Sequence, residues 1–308
     1  FSVLTKESIV QKTYWIIALI VLFFVGDRLG GWLLKSLVER SQFRYSRLYQ
    51  GQAAADILLL GNSRGLIFYQ PYITESTGKS TFNLSYNGLS IDLGRVLVED
   101  YLDRYPAPQT LLIDVTMCDR ENDQLSAGFS FYTPYSPRLD SFLLAKTPTT
   151  AYAGRLPHLF RYNSEVFQRS LRYLGGSDED WLTDRVMNDF LVDNVEGEKG
   201  LDFHFTEAKD RGTLDEAYIL EQLRATVAAA QARGVKVQLV INPYYPPFAQ
   251  KSVGYVAWKA KVEQVTGLAI RDYALALSDR QVFGDYQHLN KLGSKRYLDL
   301  LKKDGVLE

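Results

Sequence analysis

Cysteine, histidine and methionine are all scarce in this chain of 308 residues, which has one Cys, three His and two Met. A single Cys excludes an internal disulfide framework. One Cys with three His also makes a Cys/His zinc site implausible. The sequence therefore indicates no metal site, and no motif in it indicates a cofactor. The low count limits histidine chemistry to three positions, His158, His204 and His288.

An excess of charge of one sign is missing as well. Thirty-five Lys and Arg residues against 36 Asp and Glu residues give a formal net charge of −1. A general nucleic-acid binder normally carries a basic excess or stripe, so nucleic acid is not an expected partner. Hydrophobic residues make up 46% of the chain and charged residues 23%, which is the composition of a chain that folds around a core.

Long hydrophobic runs are also absent. The uncharged apolar run Tyr14–Val25 has twelve residues, whereas a helix needs roughly 20 residues to cross a hydrocarbon core about 30 Å thick. Counted through the interruption at Asp27 and Arg28 to Leu34, the segment is long enough. We expect an anchor that stays in the lipid bilayer, since no small-residue cleavage site of a signal peptide follows. A buried core helix is the alternative interpretation.

Short apolar runs alternate with amphipathic stretches from residue 55 onward. Such runs suit a parallel sheet buried on both faces, and their alternation with helices predicts a doubly wound α/β fold. Sites in such sheets form at the carboxyl ends of the strands. The expected strands are Ile57–Leu60, Thr81–Leu84, Leu111–Val115, Val235–Ile241 and Gln281–Phe283. The expected helices are Ile91–Arg104, Leu214–Arg233 and Lys291–Lys303.

Residues 117–212 interrupt this alternation. They contain many aromatic residues and several Pro and Gly, but no convincing strand. We interpret them as an insertion or lid over the α/β core, within a single domain of residues 51–308 that follows an anchor and juxtamembrane helix at 1–50. The aromatic residues of the insertion either form core or stack on sugar rings, and core is the commoner role. They include Phe129, Phe131, Tyr132 and Tyr135.

A serine follows the first expected strand in the turn Gly61-Asn62-Ser63-Arg64-Gly65. A sharp turn of small residues at the end of a strand would present the Ser63 hydroxyl at the carboxyl edge of the sheet. A helix beginning there would also offer backbone N–H groups to a developing oxyanion. The alternative is that Ser63 only caps a helix.

Asp285 and His288 stand three residues apart, just before the last expected helix. In a turn at this spacing the carboxylate can hold the imidazole tautomer while the other ring nitrogen faces a serine. A serine nucleophile needs such a base because its free hydroxyl is weakly nucleophilic. His158 and His204 have aromatic or apolar neighbours, so His288 is the expected general base.

Together these motifs resemble the SGNH/GDSL hydrolase superfamily. Its Gly-Asp-Ser block is matched by Gly61-Asn62-Ser63, and its Asp-x-x-His block by Asp285-Tyr286-Gln287-His288. The resemblance implies a Ser63–His288–Asp285 triad and an oxyanion hole formed by the backbone N–H groups of Ser63 and Gly88, the latter in Asn83–Gly88. It covers residues 56–116 and 234–303. Asn62 replaces the usual Asp, and the Gly-x-Asn-Asp block is missing, since that region reads Asp114-Val115-Thr116 with Asn122 further on.

The same departure occurs in the membrane-anchored branch of that superfamily, which includes alginate O-acetyltransferases and the teichoic-acid D-alanylation protein. The resemblance implies an extracytoplasmic domain on a single-pass bacterial membrane anchor, a polysaccharide acceptor and a membrane-bound O-acyltransferase as partner. The positive-inside rule conflicts with this orientation, because five basic residues follow the apolar run and two precede it. They are Lys6 and Lys12 before it, and Arg28, Lys35, Arg40, Arg44 and Arg47 after it. The alternative interpretation is that several of them, from Lys35 to Arg47, belong to a juxtamembrane helix that packs along a membrane or partner.

Five further polar residues are candidates for the pocket. Asn62 and Arg64 flank the serine, and Arg64 is expected either to bind an anionic sugar or to pair with a helix neighbour. Asn242 and Tyr244 follow the fourth strand and either shape the pocket or form a rigid Pro turn. Asn87 precedes Gly88. Cys118, after the third strand, is interpreted as a buried apolar residue rather than a nucleophile.

The sequence thus predicts acyl transfer through Ser63 to a sugar hydroxyl, with O-acetylation of an extracellular polysaccharide as the preferred function. An anchored carbohydrate esterase has the same catalytic parts and is the main alternative. A non-catalytic scaffold for a membrane acyltransferase is the third.

Overall fold

A five-stranded, all-parallel sheet forms the centre of the protein. The structure is a computed structural model that describes residues 2–179, 199–203 and 215–308. The strands lie in the order β2-β1-β3-β4-β5. They are β1 Ile57–Leu60, β2 Thr81–Asn83, β3 Thr110–Asp114, β4 Lys236–Ile241 and β5 Ile270–Asp272. The prediction of an α/β fold around a parallel sheet is confirmed.

Twelve α-helices surround the sheet in the described residues. Among them, the predicted Ile91–Arg104 and Lys291–Lys303 have the observed bounds, and the predicted Leu214–Arg233 is two residues shorter at each end. In chain order they are α1 Ser2–Arg40, α2 Arg44–Tyr49, α3 Gln70–Thr77, α4 Ile91–Arg104, α5 Asp123–Ala127, α6 Pro137–Lys146, α7 Pro148–Ala153, α8 Glu165–Arg172, α9 Glu216–Gln231, α10 Pro246–Ala249, α11 Tyr255–Thr266 and α12 Lys291–Lys303.

The sheet is buried on both faces. Successive side chains of a strand point to opposite sides, and each side of β1 packs in its own hydrophobic cluster. Leu58 and Leu60 of β1 lie in one hydrophobic cluster with residues of α4 and α9. Ile57 and Leu59 lie in a second cluster with residues of α3 and α12. This arrangement explains the uninterrupted apolar run of β1, in which all four residues are buried.

The predicted fifth strand is wrong. Residues Arg280–Val282 form a short 3₁₀ turn, and the fifth strand is Ile270–Asp272, at the edge of the sheet. Phe283 instead makes a single antiparallel bridge to Leu289. Only one residue of β5, Ile270, is buried, so this edge strand has no apolar run of the kind that marked the others.

Helix α1 is continuous through the charged pair that interrupts its apolar sequence. It is long and apolar enough to cross a membrane, with the candidate span at Val10–Arg40, and residues 10–26 are exposed. Asp27 is 3% exposed. Its carboxylate accepts the backbone N–H groups of His158 (2.8 Å) and Leu159 (3.0 Å) and pairs with Arg28 at 3.0 Å. Beyond this contact Leu29, Trp32 and Leu33 are still exposed, so from Asp27 onward α1 meets the folded domain along one face only.

The predicted juxtamembrane helix packs in the protein itself. The chain after α1 enters the core, where Val38, Phe43 and Leu48 are at most 2% exposed. Arg44 is buried and ion-paired with Asp178 at 2.6 Å. These residues belong to the same packed unit as the sheet, so the expectation that this segment lies along a membrane or a partner is wrong for α2.

The described part of the predicted insertion, residues 117–179 and 199–203, contains helices and 3₁₀ turns and no strand. Its aromatic residues are core: Phe129 and Tyr132 are fully buried and Phe131 is 2% exposed. The interpretation of these aromatic residues as core is therefore confirmed for these three, and the alternative, stacking on sugar rings, does not apply to them. His204 lies outside the described residues.

Candidate active site

The turn after β1 places Ser63 at the carboxyl edge of the sheet. Ser63 is half-buried and begins a five-residue 3₁₀ turn, Ser63–Ile67, rather than a long helix. Two glycines allow the tight path, because a Cβ on Gly61 would lie 2.8 Å from the Gly65 backbone, and one on Gly65 would lie 2.3 Å from the Ser85 hydroxyl. The strand order changes direction between β1 and β3, and such a switch point is where ligands bind in open α/β sheets.

Asn62 holds this turn instead of facing a pocket. Its side-chain oxygen accepts the backbone N–H of Arg64 at 2.9 Å, and its amide nitrogen donates to the Thr116 carbonyl at 3.3 Å. The residue is 6% exposed. An amide provides both the acceptor and the donor that these two contacts need, so the Asn that departs from the family block has a structural reason. Its predicted position in the pocket is wrong.

The three residues of the predicted triad are in contact. The Nε2 atom of His288 lies 2.8 Å from the Ser63 Oγ atom. On the other side of the ring, Nδ1 lies 2.8 Å from Asp285 Oδ2 and 2.9 Å from Oδ1. Because a carboxylate only accepts, Nδ1 carries the proton and Nε2 is left to accept the Ser63 hydroxyl. Residues separated by 225 positions thus form one hydrogen-bonded chain.

A tight loop fixes Asp285 against His288. The backbone N–H groups of Gln287 (2.7 Å) and His288 (2.8 Å) both donate to Asp285 Oδ1. Gly284 N–H donates to the His288 carbonyl at 2.8 Å, which closes the loop. Asn290 then caps α12 by accepting the Gly293 N–H at 2.9 Å, so the loop leads directly into a helix that packs on the sheet.

Burial raises the pKa of Asp285, but the hydrogen bond and charge of His288 and the two backbone N–H groups lower it by more. The net pKa lies below the ordinary value of 3.8. The folded protein therefore favours the carboxylate, which is the form that accepts the Nδ1 proton of His288.

Replacing Asp285 with asparagine is expected to lower the free energy of unfolding by about 1–3 kcal/mol at neutral pH, because a charged acceptor of several hydrogen bonds is lost. A lowered pKa in the folded state stabilises the fold above the unfolded pKa and loses this effect as the pH falls through the folded pKa. The difference in melting temperature between Asp285→Asn and the natural chain should thus be largest above pH 4 and shrink below it. The exposed Asp299→Asn is the control, and an unchanged difference at low pH would contradict the assignment.

Arg64 is buried beneath the serine turn and does not face a sugar site. It is 3% exposed, and its guanidinium lies 3.7 Å from the carboxylate of Asp114, at the end of β3. It also donates to the Gln287 carbonyl at 2.7 Å and to the Asn242 carbonyl. Arg64 therefore ties the serine turn to β3, to β4 and to the loop that carries His288. Of its two predicted roles, the salt bridge is the one that the structure bears out, although the partner Asp114 lies at the end of β3, where it caps the following 3₁₀ turn.

Asn242 and Tyr244 belong to this buried network. The side-chain amide of Asn242 donates to Asp114 at 2.8 Å and to the Arg64 carbonyl at 3.0 Å, and its oxygen accepts the Tyr297 hydroxyl at 2.7 Å. The ring centroid of Tyr244 lies 3.3 Å from the Arg64 guanidinium carbon. Asn242 is fully buried and Tyr244 is 3% exposed, so they support the site from within instead of shaping a pocket.

Asp114 is the residue of this network that the sequence reasoning missed. It is fully buried, and burial raises the pKa of its carboxyl group although Arg64 and two Thr116 hydrogen bonds oppose the shift. The sequence shows that Asp114 lies at the end of an expected strand, but no local pattern predicts an ion pair between Asp114 and Arg64. The one available signal is an acidic residue at the carboxyl end of a central strand, where buried carboxylates need partners.

Gly88 and Asn87 lie in the loop after β2, the neighbour of β1, at the same sheet edge as Ser63. Gly88 has a φ of 72°, a conformation that favours glycine. Asn122 donates its side-chain amide to the Gly88 carbonyl at 2.9 Å. Asn87 is exposed. The assignment of the Gly88 and Ser63 N–H groups to an oxyanion hole stays a prediction, and Asn122 now joins the residues that hold this loop.

A cavity of about 620 Å³ opens beside this loop, lined by Asn87, Gly88 and Asn122 among others.

Cys118 does not line this cavity. Cys118 is fully buried, and burial raises the pKa of its thiol well above the ordinary value, so the interpretation as an apolar core residue is confirmed. His158 packs against Gly31 of α1, and its backbone N–H donates to Asp27.

No protein-family model matches the chain, and no curated protein matches its sequence. The chemical interpretation of the site therefore depends on its own geometry.

Proposed function

We propose that this protein is a membrane-anchored, serine-dependent O-acyltransferase of the SGNH type that acylates a polysaccharide, with acetyl as the expected acyl group. The observation that carries the proposal is the chain of contacts from Ser63 through His288 to Asp285, with both hydrogen-bonding distances at 2.8 Å. A nucleophile, a base and a group that orients the base are the parts that acyl transfer through serine needs.

In the proposed reaction His288 Nε2 removes the hydroxyl proton as Ser63 Oγ forms a bond to the acyl carbon of the donor. The bond from that carbon to the leaving group then breaks, and the proton on His288 passes to the leaving group. In the second half His288 takes the proton of an acceptor hydroxyl, which attacks the acyl-Ser63 ester and restores the Ser63 hydroxyl. Asp285 stabilises the imidazolium in both halves.

The fold supports the SGNH assignment in two ways. The strand order β2-β1-β3-β4-β5 is the flavodoxin-like order of doubly wound sheets. The two motif blocks that carry the resemblance lie after β1 and before α12, and their side chains meet. The third block of the family is missing at Asp114–Thr116. In its place Asp114 pairs with Arg64 in the buried network.

Helix α1 is long and apolar enough for a single-pass anchor, and the resemblance to the membrane-anchored branch is the reason for proposing that the sheet domain lies outside the cytoplasm. The basic residues after the apolar run had argued against this orientation. Four of the five are ion-paired: Arg28 with Asp27, Lys35 with Glu39, Arg44 with Asp178 and Arg47 with Glu179. Arg44 and Arg47 are thus held in the folded domain by their ion pairs, although the positive-inside rule still counts them on this side of the helix. A membrane-bound O-acyltransferase remains the proposed partner.

The test uses a fluorophosphonate probe, which reacts with activated serines, followed by peptide mapping and a transfer assay. We expect the label on Ser63 and its loss in His288→Ala. An acetyl-ester donor given with an oligosaccharide should yield acetylated oligosaccharide; release of acetate alone would favour the esterase. Absence of label from Ser63 in the folded chain would overturn the proposal and favour a non-catalytic scaffold.

A further inference from the structure

The cavity beside the Gly88 loop adjoins the proposed site, because Tyr86 lines it and donates its backbone N–H to the carbonyl of Gly61 in the serine turn at 3.3 Å. At about 620 Å³ it falls within the range of roughly 300–1,000 Å³ that small-molecule sites occupy. Asn87 and Gly88 form one wall, and Asn122, which donates to the Gly88 carbonyl, adjoins them. A ligand in this cavity therefore contacts the loop proposed to hold the oxyanion.

Carboxamide side chains dominate the polar lining. Asn87, Gln124, Asn163 and Gln168 all line the cavity and are exposed. An amide offers both donors and an acceptor, which matches a sugar hydroxyl because a hydroxyl also donates and accepts. Phe160, 41% exposed, adds an apolar surface on which the C–H face of a sugar ring can pack.

The charges at the cavity disfavour an anionic ligand. Among the residues that the structure describes, the lining includes the exposed carboxylate of Glu165 and no Lys or Arg. Arg169, one turn along α8 from Glu165, is not part of the lining and is hydrogen-bonded to Tyr86. A carboxylate sugar placed here would meet Glu165 with no cation in the described part of the wall, and like charges at short range are unfavourable.

We infer that this cavity is the acceptor subsite of the protein and that it binds a neutral glycan through hydroxyl groups, in preference to a uronate polymer. The inference rests on the proposed function, since it names the substrate class of that site. Acceptor hydroxyls held between Asn163, Gln168 and the Gly88 loop are then delivered to the serine side of that loop.

The test measures binding to the full chain with Ser63→Ala in detergent, so that no acyl transfer occurs. The probes are a neutral β-1,4-linked glucose hexamer and a galacturonate hexamer of the same length. We expect the neutral hexamer to bind at least about tenfold more tightly. Asn163→Ala and Gln168→Ala should each weaken it by about tenfold, as the loss of one hydrogen bond predicts. Gln231→Ala, which removes an exposed amide on α9 outside the lining, is the control and should change nothing.

Glu165→Gln should strengthen binding of the galacturonate hexamer severalfold and leave the neutral hexamer unaffected. Equal or tighter binding of galacturonate by the unmodified cavity would overturn the inference, as would amide variants that behave like the Gln231→Ala control. The two proposals fail separately. Probe labelling of Ser63 without neutral-glycan binding overturns only the subsite, and glycan binding without labelling overturns only the catalytic function.

Discussion

Ser63→Ala is expected to reduce acyl transfer by about 10⁴-fold or more, because loss of the nucleophile removes the covalent step entirely. The melting temperature should stay close to that of the natural chain. The Ser63 hydroxyl is half-buried, and its contact is with His288 Nε2, a nitrogen that water can reach in its place. A large loss of activity without a loss of stability is the signature of a catalytic group.

The matched control is Ser76→Ala. This hydroxyl donates to the Ile73 carbonyl at 3.3 Å within α3, away from the triad, and its removal should leave the rate unchanged. His288→Ala should match Ser63→Ala in effect, since residues that act as a unit are not additive. Turnover by Ser63→Ala at a rate near that of the control would contradict the assignment.

The second large effect is expected on stability, from Arg64→Met. Methionine keeps much of the side-chain volume but leaves the fully buried Asp114 carboxylate without its cation. Removing one partner of a buried ion pair costs about 3–5 kcal/mol. Activity should fall as well, because the hydrogen bond from Arg64 to the Gln287 carbonyl holds the loop beside His288. Thermal and urea unfolding measure the first effect and ester turnover the second.

The double variant Arg64→Met with Asp114→Asn should recover part of the lost stability, since it no longer buries an unpaired charge. Arg296→Met breaks an ion pair with Asp279 in which both side chains are nearly half exposed, and should change the free energy of unfolding by less than about 1 kcal/mol. A single variant Arg64→Met as stable as Arg296→Met would show that the buried pair has no structural role.

The candidate triad could be predicted because each of its parts has a local signal. Ser63 follows an apolar strand through two glycines, and Asp285 and His288 stand at a spacing that a tight loop brings together. The contact between Ser63 and His288 spans 225 residues, but motif order and strand context supplied it. Local patterns of this kind also located β1 and the last helix to the residue.

The Arg64 network had no such signal. Arg64 contacts Asn242, 178 residues away, and Gln287, 223 residues away, and a charged residue beside a nucleophile is equally compatible with a ligand site. Only the packing of β1, β3 and β4 side by side shows that the space around it is closed. The residues that support a site depend on tertiary contacts more than those that form it.

The position of β5 was missed for a related reason. A central strand is buried along its length and therefore apolar, whereas β5 pairs only with β4 and has two exposed residues of three. The apolar residues Val282 and Phe283 are buried, but they pack in the second hydrophobic cluster without joining the sheet. In the middle of a sheet the strand residues are also buried, whereas at its edge a strand has exposed residues and buried residues lie outside the strand.

The burial of Asp27 makes the connection between α1 and the sheet domain rigid. Asp27 and Val38 are both buried in the domain, and at 1.5 Å per residue about 16 Å of α1 separates them. Because both ends of this stretch are fixed in the domain, α1 leaves the domain as a rigid helix and not as a flexible linker. If α1 spans a bilayer, the cavity and Ser63 lie at a constant distance from the lipid surface. A change in the tilt of the helix then changes the orientation of the domain by the same angle. In the proposed function, a polymer would therefore be acylated only in a thin layer next to the membrane and not throughout the volume that a flexible linker would reach.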